Sequence, residues 1–300
     1  MHKIAAVLLI IFAIIFSFGG CRNDNNEIQS EFTLLISKNV DSENIDAIAN
    51  FLDENISKMN EDIATLMVID FREYLFNYII QNKDKTILQE LFVYIDGKTG
   101  RIDSEKIQNS EHKSYYDKIK AGSLMVMLYE DAPVLRVDHN KLLEKYGEYI
   151  SDSVNELYRL EAQLIERPTS ENAKLTVNWQ ELLKRAYAAE KLITEYSKDE
   201  RVLADAIWIY TTHINSLLMG ATNSPIFDYN TKEFSSSARS AYQDFILNEP
   251  DAVLTWVLKE YFAYLSNIDY TLDFNDCERN KMFFDTCDRL VAEAEKRVKE

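Results

Sequence analysis

The sequence predicts a predominantly all-α fold, with helices packed as a repeat-like array or an irregular bundle and one short β-hairpin near residues 123–138. Three observations carry this. Glycine and proline are scarce, 7 and 4 in 300 residues, or about 2% and 1% against roughly 7% and 5% in average proteins. Sandwiches, barrels and doubly wound sheets consume those residues in their turns, so few breaks mean long helices. Apolar residues recur at three- and four-residue steps along most of the chain, the period of a helix that buries one face. Finally, 46% hydrophobic and 28% charged residues are ordinary globular usage, enough to bury a core. The charges are unbalanced: 33 basic and 50 acidic residues give a formal charge of −17. So acidic a chain neutralises few phosphates, which argues against a nucleic-acid partner.

In chain order, Lys3 supplies a positive start and residues 4–18 a largely apolar run. The run is short of the roughly 20 residues that span a bilayer and fits a signal peptide over residues 1–20. It ends in Phe18-Gly19-Gly20-Cys21. Small residues before a cysteine resemble the lipobox of bacterial lipoproteins, with Phe18 where leucine is usual. The resemblance implies cleavage before Cys21, lipidation of its sulfur (a diacylglycerol carrying palmitate-type chains) and a place at the cell membrane, facing the extracytoplasmic side. Two acyl chains anchor stably where one, at about 0.8 kcal/mol per buried CH₂, is marginal. Cleavage leaves 280 residues with a formal charge of −18, since Lys3 is the one charged residue removed.

Residues 21–40 read as the lipidated cysteine and a polar tether, because Arg22-Asn23-Asp24-Asn25-Asn26-Glu27 precede the first apolar residue, Ile28. Ten tether residues reach at most roughly 33–36 Å extended and about 17 Å as a coil. Either exceeds the Debye length of about 8 Å, so the acidic body can stand clear of an anionic surface. No basic patch directs the body itself to lipid.

Residues 41–300 form the helical body, with 41–137 and 138–300 as candidate subdivisions. Ile45, Ile48, Phe51, Leu52 and Ile56 make a first stripe. Ile63, Leu66, Met67, Phe71, Tyr74, Leu75, Tyr78 and Ile79 make a second over about five turns. A shorter helix spans 85–94 before Asp96-Gly97-Lys98-Thr99-Gly100 breaks the pattern. Residues 123–129 and 134–138, around Glu130-Asp131-Ala132-Pro133, fit a hairpin. The methionines of the first strand keep a helix open as its alternative. A single helix is expected from Asp138 to about Glu166, closed by Pro168. Asn178, three residues before Glu181, resembles a capping box opening the next. Helices follow near 200–219, 236–248 and 251–267, and from about Asn275 to the end. Along that last helix ten residues put Cys277 and Cys287 about 15 Å apart, so two free thiols are expected, with Cys287 on the buried stripe beside Phe283, Leu290 and Ala294.

Residues 187–197 weakly parallel 240–250, and the second copy with Pro250, Asp251 and Trp256 resembles the joint between tetratricopeptide repeats, without their 34-residue spacing. The 220–235 segment is similar to segments of uncharacterised Gram-positive lipoproteins, a likeness that implies no activity.

No catalytic constellation emerges. Among His2, His112, His139 and His213, none has a second histidine or a carboxylate at the spacing of helical metal sites. G-x-S-x-G, H-E-x-x-H and phosphate-cradling loops are absent. Ser110-Glu-His-Lys113, Ser151-Asp152-Ser153 and Lys98-Thr99-Gly100 echo penicillin-interacting serine enzymes, but in the wrong order. A calcium loop around Gly100 lacks its carboxylates. No catalytic residue, metal site or cofactor is therefore expected. Most aromatics fall on apolar stripes, while Tyr115-Tyr116 could line a groove for carbohydrate or peptide.

The favoured expectation is a non-catalytic, lipid-anchored interaction scaffold whose partner is another envelope protein or a glycan. The alternatives are a lipoprotein presenting a small molecule, sugar or peptide, and an enzyme of unrecognised type. A deep aromatic pocket would favour the ligand reading, and a shallow superhelical groove the scaffold. The candidate contact site is the loop at 220–234, whose length is usually functional or disordered and whose apolar residues speak against disorder. Its candidate partner-binding residues are Asn223, Pro225, Phe227, Asp228, Tyr229 and Asn230.

Overall fold

A computed structural model describes residues 22–82 and 86–300. The expected signal peptide and Cys21 lie outside the described residues. Among the described residues the chain is predominantly all-α, with twelve helices and eight short strands.

The expected tether is instead helical. Residues Arg22–Ile36 form α1, in which Ile28, Phe32, Leu35 and Ile36 share one face at four-, three- and one-residue steps. Phe32 is only 2% exposed and packs 6.2 Å from the Phe51 ring of α2 (Ser42–Asn55). Ten residues in this form span about 15 Å rather than the coil or extended reach. The long helix α3 (Glu61–Asn82) packs beneath both, burying Met67, Phe71, Tyr74 and Tyr78.

The helix expected at 85–94 is shorter: α4 covers Thr86–Glu90 and a 3-10 turn covers Leu91–Tyr94. A four-stranded antiparallel meander follows, in the order β1 (Ile95–Asp96), β2 (Arg101–Ile102), β3 (Leu124–Tyr129), β4 (Ala132–Val137), with α5 (Ser110–Ala121) inserted before β3. The hairpin at 123–138 is thus a pair of strands, and neither half is helix. Glu130 and Asp131 both take positive φ, 48° and 63°, as a two-residue turn matched to strand twist requires. Pro133 belongs to β4 rather than to the turn, opposite Leu128. Leu128 directs its N–H to Gly100 of the neighbouring loop, and β4 is an edge strand, so the missing proline N–H interrupts nothing.

The single helix expected over 138–166 is broken into α6 (His139–Tyr146) and α7 (Asp152–Glu166). The break is held by side chains outside it, one from the start of α7 and one from α3. Asn155 Nδ2 donates to the carbonyls of Gly147, at 2.8 Å, and Ile150, at 3.2 Å. Ser151 N donates to Thr65 Oγ1 of α3 at 2.8 Å. The chain turns there, and α7 packs back along α6.

A small hairpin, β5 (Ser170–Glu171) and β6 (Lys174–Leu175), leads to α8 (Trp179–Glu195), α9 (Glu200–Met219), α10 (Ser236–Asn248), α11 (Val253–Asn267) and α12 (Cys277–Val298). Asn178 Oδ1 accepts from Glu181 N at 2.8 Å, as the capping pattern requires, but the Glu181 carboxylate turns to Arg185 at 3.0 Å instead of back to the cap. The cap of α12 is Asp276, one residue later than expected, accepting from the N–H groups of Glu278 and Arg279. Ala252 precedes α11 and cannot cap it. Glu190 of α8 does so, accepting from Val253 N at 2.7 Å and Leu254 N at 2.8 Å. One apolar core runs through the body from Phe32 to Val298, across the candidate boundary at 137/138.

Candidate functional site

A cavity of about 370 Å³ opens where the sheet meets α7 and α9. Its walls come from Met127, Tyr129 and Arg136 of the sheet, from Leu164 and Ile165 of α7, and from Trp208, Ile209 and Thr212 of α9, with Phe76 of α3 closing one side. Helical spacing builds these walls. Glu161, Leu164 and Ile165 lie at steps of three and four along α7, and Trp208 with Thr212 and Ile209 with His213 repeat at four along α9. The lining is mostly apolar, with polar groups at a few points, and the volume falls at the low end of the roughly 300–1,000 Å³ usual for small-molecule sites. Trp208 is 64% exposed, a large aromatic left open on one wall.

Beneath it lies a charged cluster. The Arg72 guanidinium of α3 pairs with Glu161 Oε1 and, at 3.0 Å, with Asp205 Oδ2. It also stacks over Phe76 at 4.6 Å and Tyr158 at 5.4 Å. Burial alone would lower the Arg72 pKa, but Glu161 and the neighbouring negative groups outweigh it, and Arg72 is raised. Burial likewise pushes Glu161 up, yet His139 and Arg72 prevail and hold its carboxyl below the usual range. His139 Nε2 sits 3.0 Å from Glu161 Oε2 and 3.4 Å from Arg72 Nε. Arg72 Nε is the donor to that nitrogen, and Glu161 Oε2, though at ion-pair distance, has no hydrogen-bond partner among the described residues. His139 Nδ1 is likewise buried with no hydrogen-bond partner among the described residues.

The second histidine is settled differently. His213 Nδ1 lies 2.7 Å from the Ile209 carbonyl and donates to it, so Nε2 is the acceptor for the Thr169 hydroxyl at 3.1 Å. Burial pushes the pKa of His213 down to about 4, with the Ile209 carbonyl opposing and Arg185 assisting. The ring is neutral in ordinary buffers. Both histidines lining the cavity are therefore held in fixed orientation by partners on other turns or elements. Among the described residues no group of three or more His, Cys, Asp or Glu side chains could hold a metal ion.

The loop at 220–234 takes a different form from an open contact surface. Gly220 ends α9 with φ 75°, and a Cβ there would lie 2.4 Å from the Ser224 carbonyl, so only glycine fits. The chain then forms a hairpin of β7 (Gly220–Ala221) and β8 (Ser224–Pro225). Asn223, at its tip, donates through Nδ2 to Asn172 O at 2.8 Å, tying it to the β5–β6 hairpin. Asp228 Oδ1 accepts from Asn230 N and Thr231 N, both at 2.8 Å. Phe227, expected at a contact surface, is core instead: it is fully buried between Phe234, Phe274 and Phe283, because the loop folds its apolar mass inward. Pro225, Asp228, Tyr229 and Asn230 do come together around an open hollow of about 460 Å³. Tyr115 and Tyr116 line neither cavity. Tyr116 is buried beside the sheet and the Tyr115 hydroxyl lies 3.5 Å from that of Tyr78.

Arg72, Arg136, His139, Glu161 and Trp208 were not legible as a set. Arg72 and Glu161 are 89 positions apart, and His139 meets Glu161 only because the chain reverses between α6 and α7. One local signal existed in Arg136, a charge on an otherwise apolar strand. No family model, curated protein or solved structure matches the chain.

Proposed function

We propose that the protein is a non-catalytic binding protein, lipid-anchored on the extracytoplasmic side of the membrane, that holds a small amphipathic molecule in the cavity between the sheet and helices α7 and α9. One observation carries the binding reading: a cavity of about 370 Å³ walled by Phe76, Tyr129, Trp208 and aliphatic side chains, with a few fixed polar groups. Such a combination is what a small-molecule site requires. The polar groups orient rather than exchange protons, since Glu161 is ion-paired and His213 is neutral and bonded at both nitrogens. The anchor rests on the resemblance of Phe18-Gly19-Gly20-Cys21 to a lipobox. Fatty-acid labelling of the wild type and of Cys21→Ala tests it, and normal label in the variant rejects it. For the cavity, the protein is extracted from membranes and its bound small molecules are identified by mass spectrometry. A molecule retained by wild type and lost from both Leu164→Trp and Thr212→Trp, which fill the cavity from two different helices, supports the reading. Equal retention by both variants rejects it.

The interaction scaffold is the second reading, favoured by the hollow beside Tyr229, which is 49% exposed. In-cell crosslinking from position 229 tests it. A captured envelope protein supports it, and capture of none rejects it.

A further inference from the structure

The sheet wall of the cavity is cationic, in a strongly acidic chain. Strand alternation puts Met127 and Tyr129 of β3 on the same face as Arg136 of β4, since Met125 pairs with Arg136, Met127 with Val134 and Tyr129 with Ala132. The opposite face carries the buried Leu124, Val126, Leu135 and Val137. Arg136 lies 5.5 Å over the Tyr129 ring, and no carboxylate pairs with it among the described residues. The one carboxylate lining the cavity, Glu161, is already matched by Arg72 and His139. The cavity therefore offers a single uncompensated charge, and it is positive, beside an apolar chamber of Phe76, Leu164, Ile165, Trp208 and Ile209.

A guanidinium presents its N–H groups in a planar fork that matches a carboxylate with two parallel bonds. Held against a ring at an apolar wall, it is screened less than a charge in open solvent. We infer that the ligand is a small amphipathic carboxylate, an acid whose head group pairs with Arg136 while its apolar body fills the chamber. The inference rests on the ligand-binding reading above. A cationic head group would instead meet the Arg136 charge with no free carboxylate to answer it. A neutral one would leave the guanidinium partly desolvated and unmatched. The thioether of Met127 adds a soft, adaptable surface that accepts chains of varying shape.

The test uses residues 22–300, which carry the apolar core of the described residues, and three probes with one ten-carbon chain: decanoate, decanol and decyltrimethylammonium, each below its micelle-forming concentration. Calorimetric titration should show decanoate binding about ten-fold more tightly than decanol, a gap of about 1.4 kcal/mol. Arg136→Gln should bring decanoate level with decanol and leave decanol unchanged, and Arg136→Lys should restore part of the preference. Tightest binding of decyltrimethylammonium, or a decanoate preference that survives in Arg136→Gln, overturns the head-group assignment and leaves the cavity as a ligand site. Failure of all three probes to bind, or binding untouched by both Leu164→Trp and Thr212→Trp, overturns the ligand reading itself.

Discussion

Arg72 of α3 and Glu161 of α7, 89 positions apart in sequence, form a buried ion pair under the cavity. The pair joins the N-terminal helices to the centre of the body, and Asp205 of α9 completes it on the other side. Charges this enclosed gain little net stability by being paired, but leaving one alone costs much more. Arg72→Met should therefore destabilise the fold by about 3–5 kcal/mol, because Glu161 and its neighbours lose their counter-charge. Replacing both partners, with Arg72→Met and Glu161→Leu, should cost less than Arg72→Met alone. Urea unfolding of the three proteins decides it, and a double variant that is the least stable of the set rejects this account.

His213 makes the fold sensitive to acid. Its pKa falls from 6.5 in the unfolded chain to about 4 when folded. Above pH 6.5 the ring is neutral in both states and its contribution is fully present. Below that, the unfolded chain takes up a proton that the buried ring refuses, so stability is lost progressively until about pH 4. A shift of this size corresponds to roughly 3 kcal/mol. Glu161 acts in the same sense lower down, since a carboxyl held below its usual range withdraws its stabilisation as pH falls through the folded pKa. His213→Gln should flatten the decline between pH 6.5 and 4 while leaving the lower limb. Melting temperatures measured across that range check it, and parallel curves for the two proteins would show that His213 is not the group responsible.

The contrast between these two sites marks what the sequence could and could not disclose. Stripes such as Leu182, Ala186, Ala189 and Ile193 announce α8 because a helix repeats every 3.6 residues whatever it packs against. The break before α7 is invisible at that level, since it is held by Asn155 and by Thr65 from another helix. α1 lay between the two. Its face of Ile28, Phe32, Leu35 and Ile36 is present in the sequence, but the polar run before it suggested a coil. β1 and β2, two residues each, are too short to show any alternation. The cavity was least legible of all, because its walls come from a sheet and four helices and only the tertiary fold brings Arg136, His139 and Trp208 to one place.

Asn223 and Asp228 should behave as structural residues. Each satisfies backbone groups within the chain: Asn223 the carbonyl of Asn172, and Asp228 two N–H groups of its own turn. Both lie at exposed positions where water replaces part of what is lost. The pair Asn223→Ala with Asp228→Ala should lower stability by about 1–2 kcal/mol in total. Helical circular dichroism should be unchanged, and so should decanoate affinity, because the cavity is elsewhere. A loss of decanoate binding in the folded variant would mean that the loop and the cavity are coupled.

The two body cysteines should differ sharply in reactivity. Both lie on α12, where ten residues of continuous helix put them about 15 Å apart, beyond the roughly 7 Å that a disulfide allows. Cys277, in the first turn, is exposed, whereas Cys287 is buried with Phe283, Leu290 and Ala294. Burial pushes the Cys287 thiol up to about 12, with Asp288 adding to the effect. Only the thiolate is nucleophilic, so at pH 8 Cys287 is protected both by its protonation and by lack of access. Iodoacetamide should therefore modify Cys277 in the folded protein and reach Cys287 only after unfolding in urea. Peptide mass spectrometry reads both sites from one digest. Equal labelling of the two in the native state, or a peptide linking Cys277 to Cys287, would mean that α12 opens at its first three turns in solution.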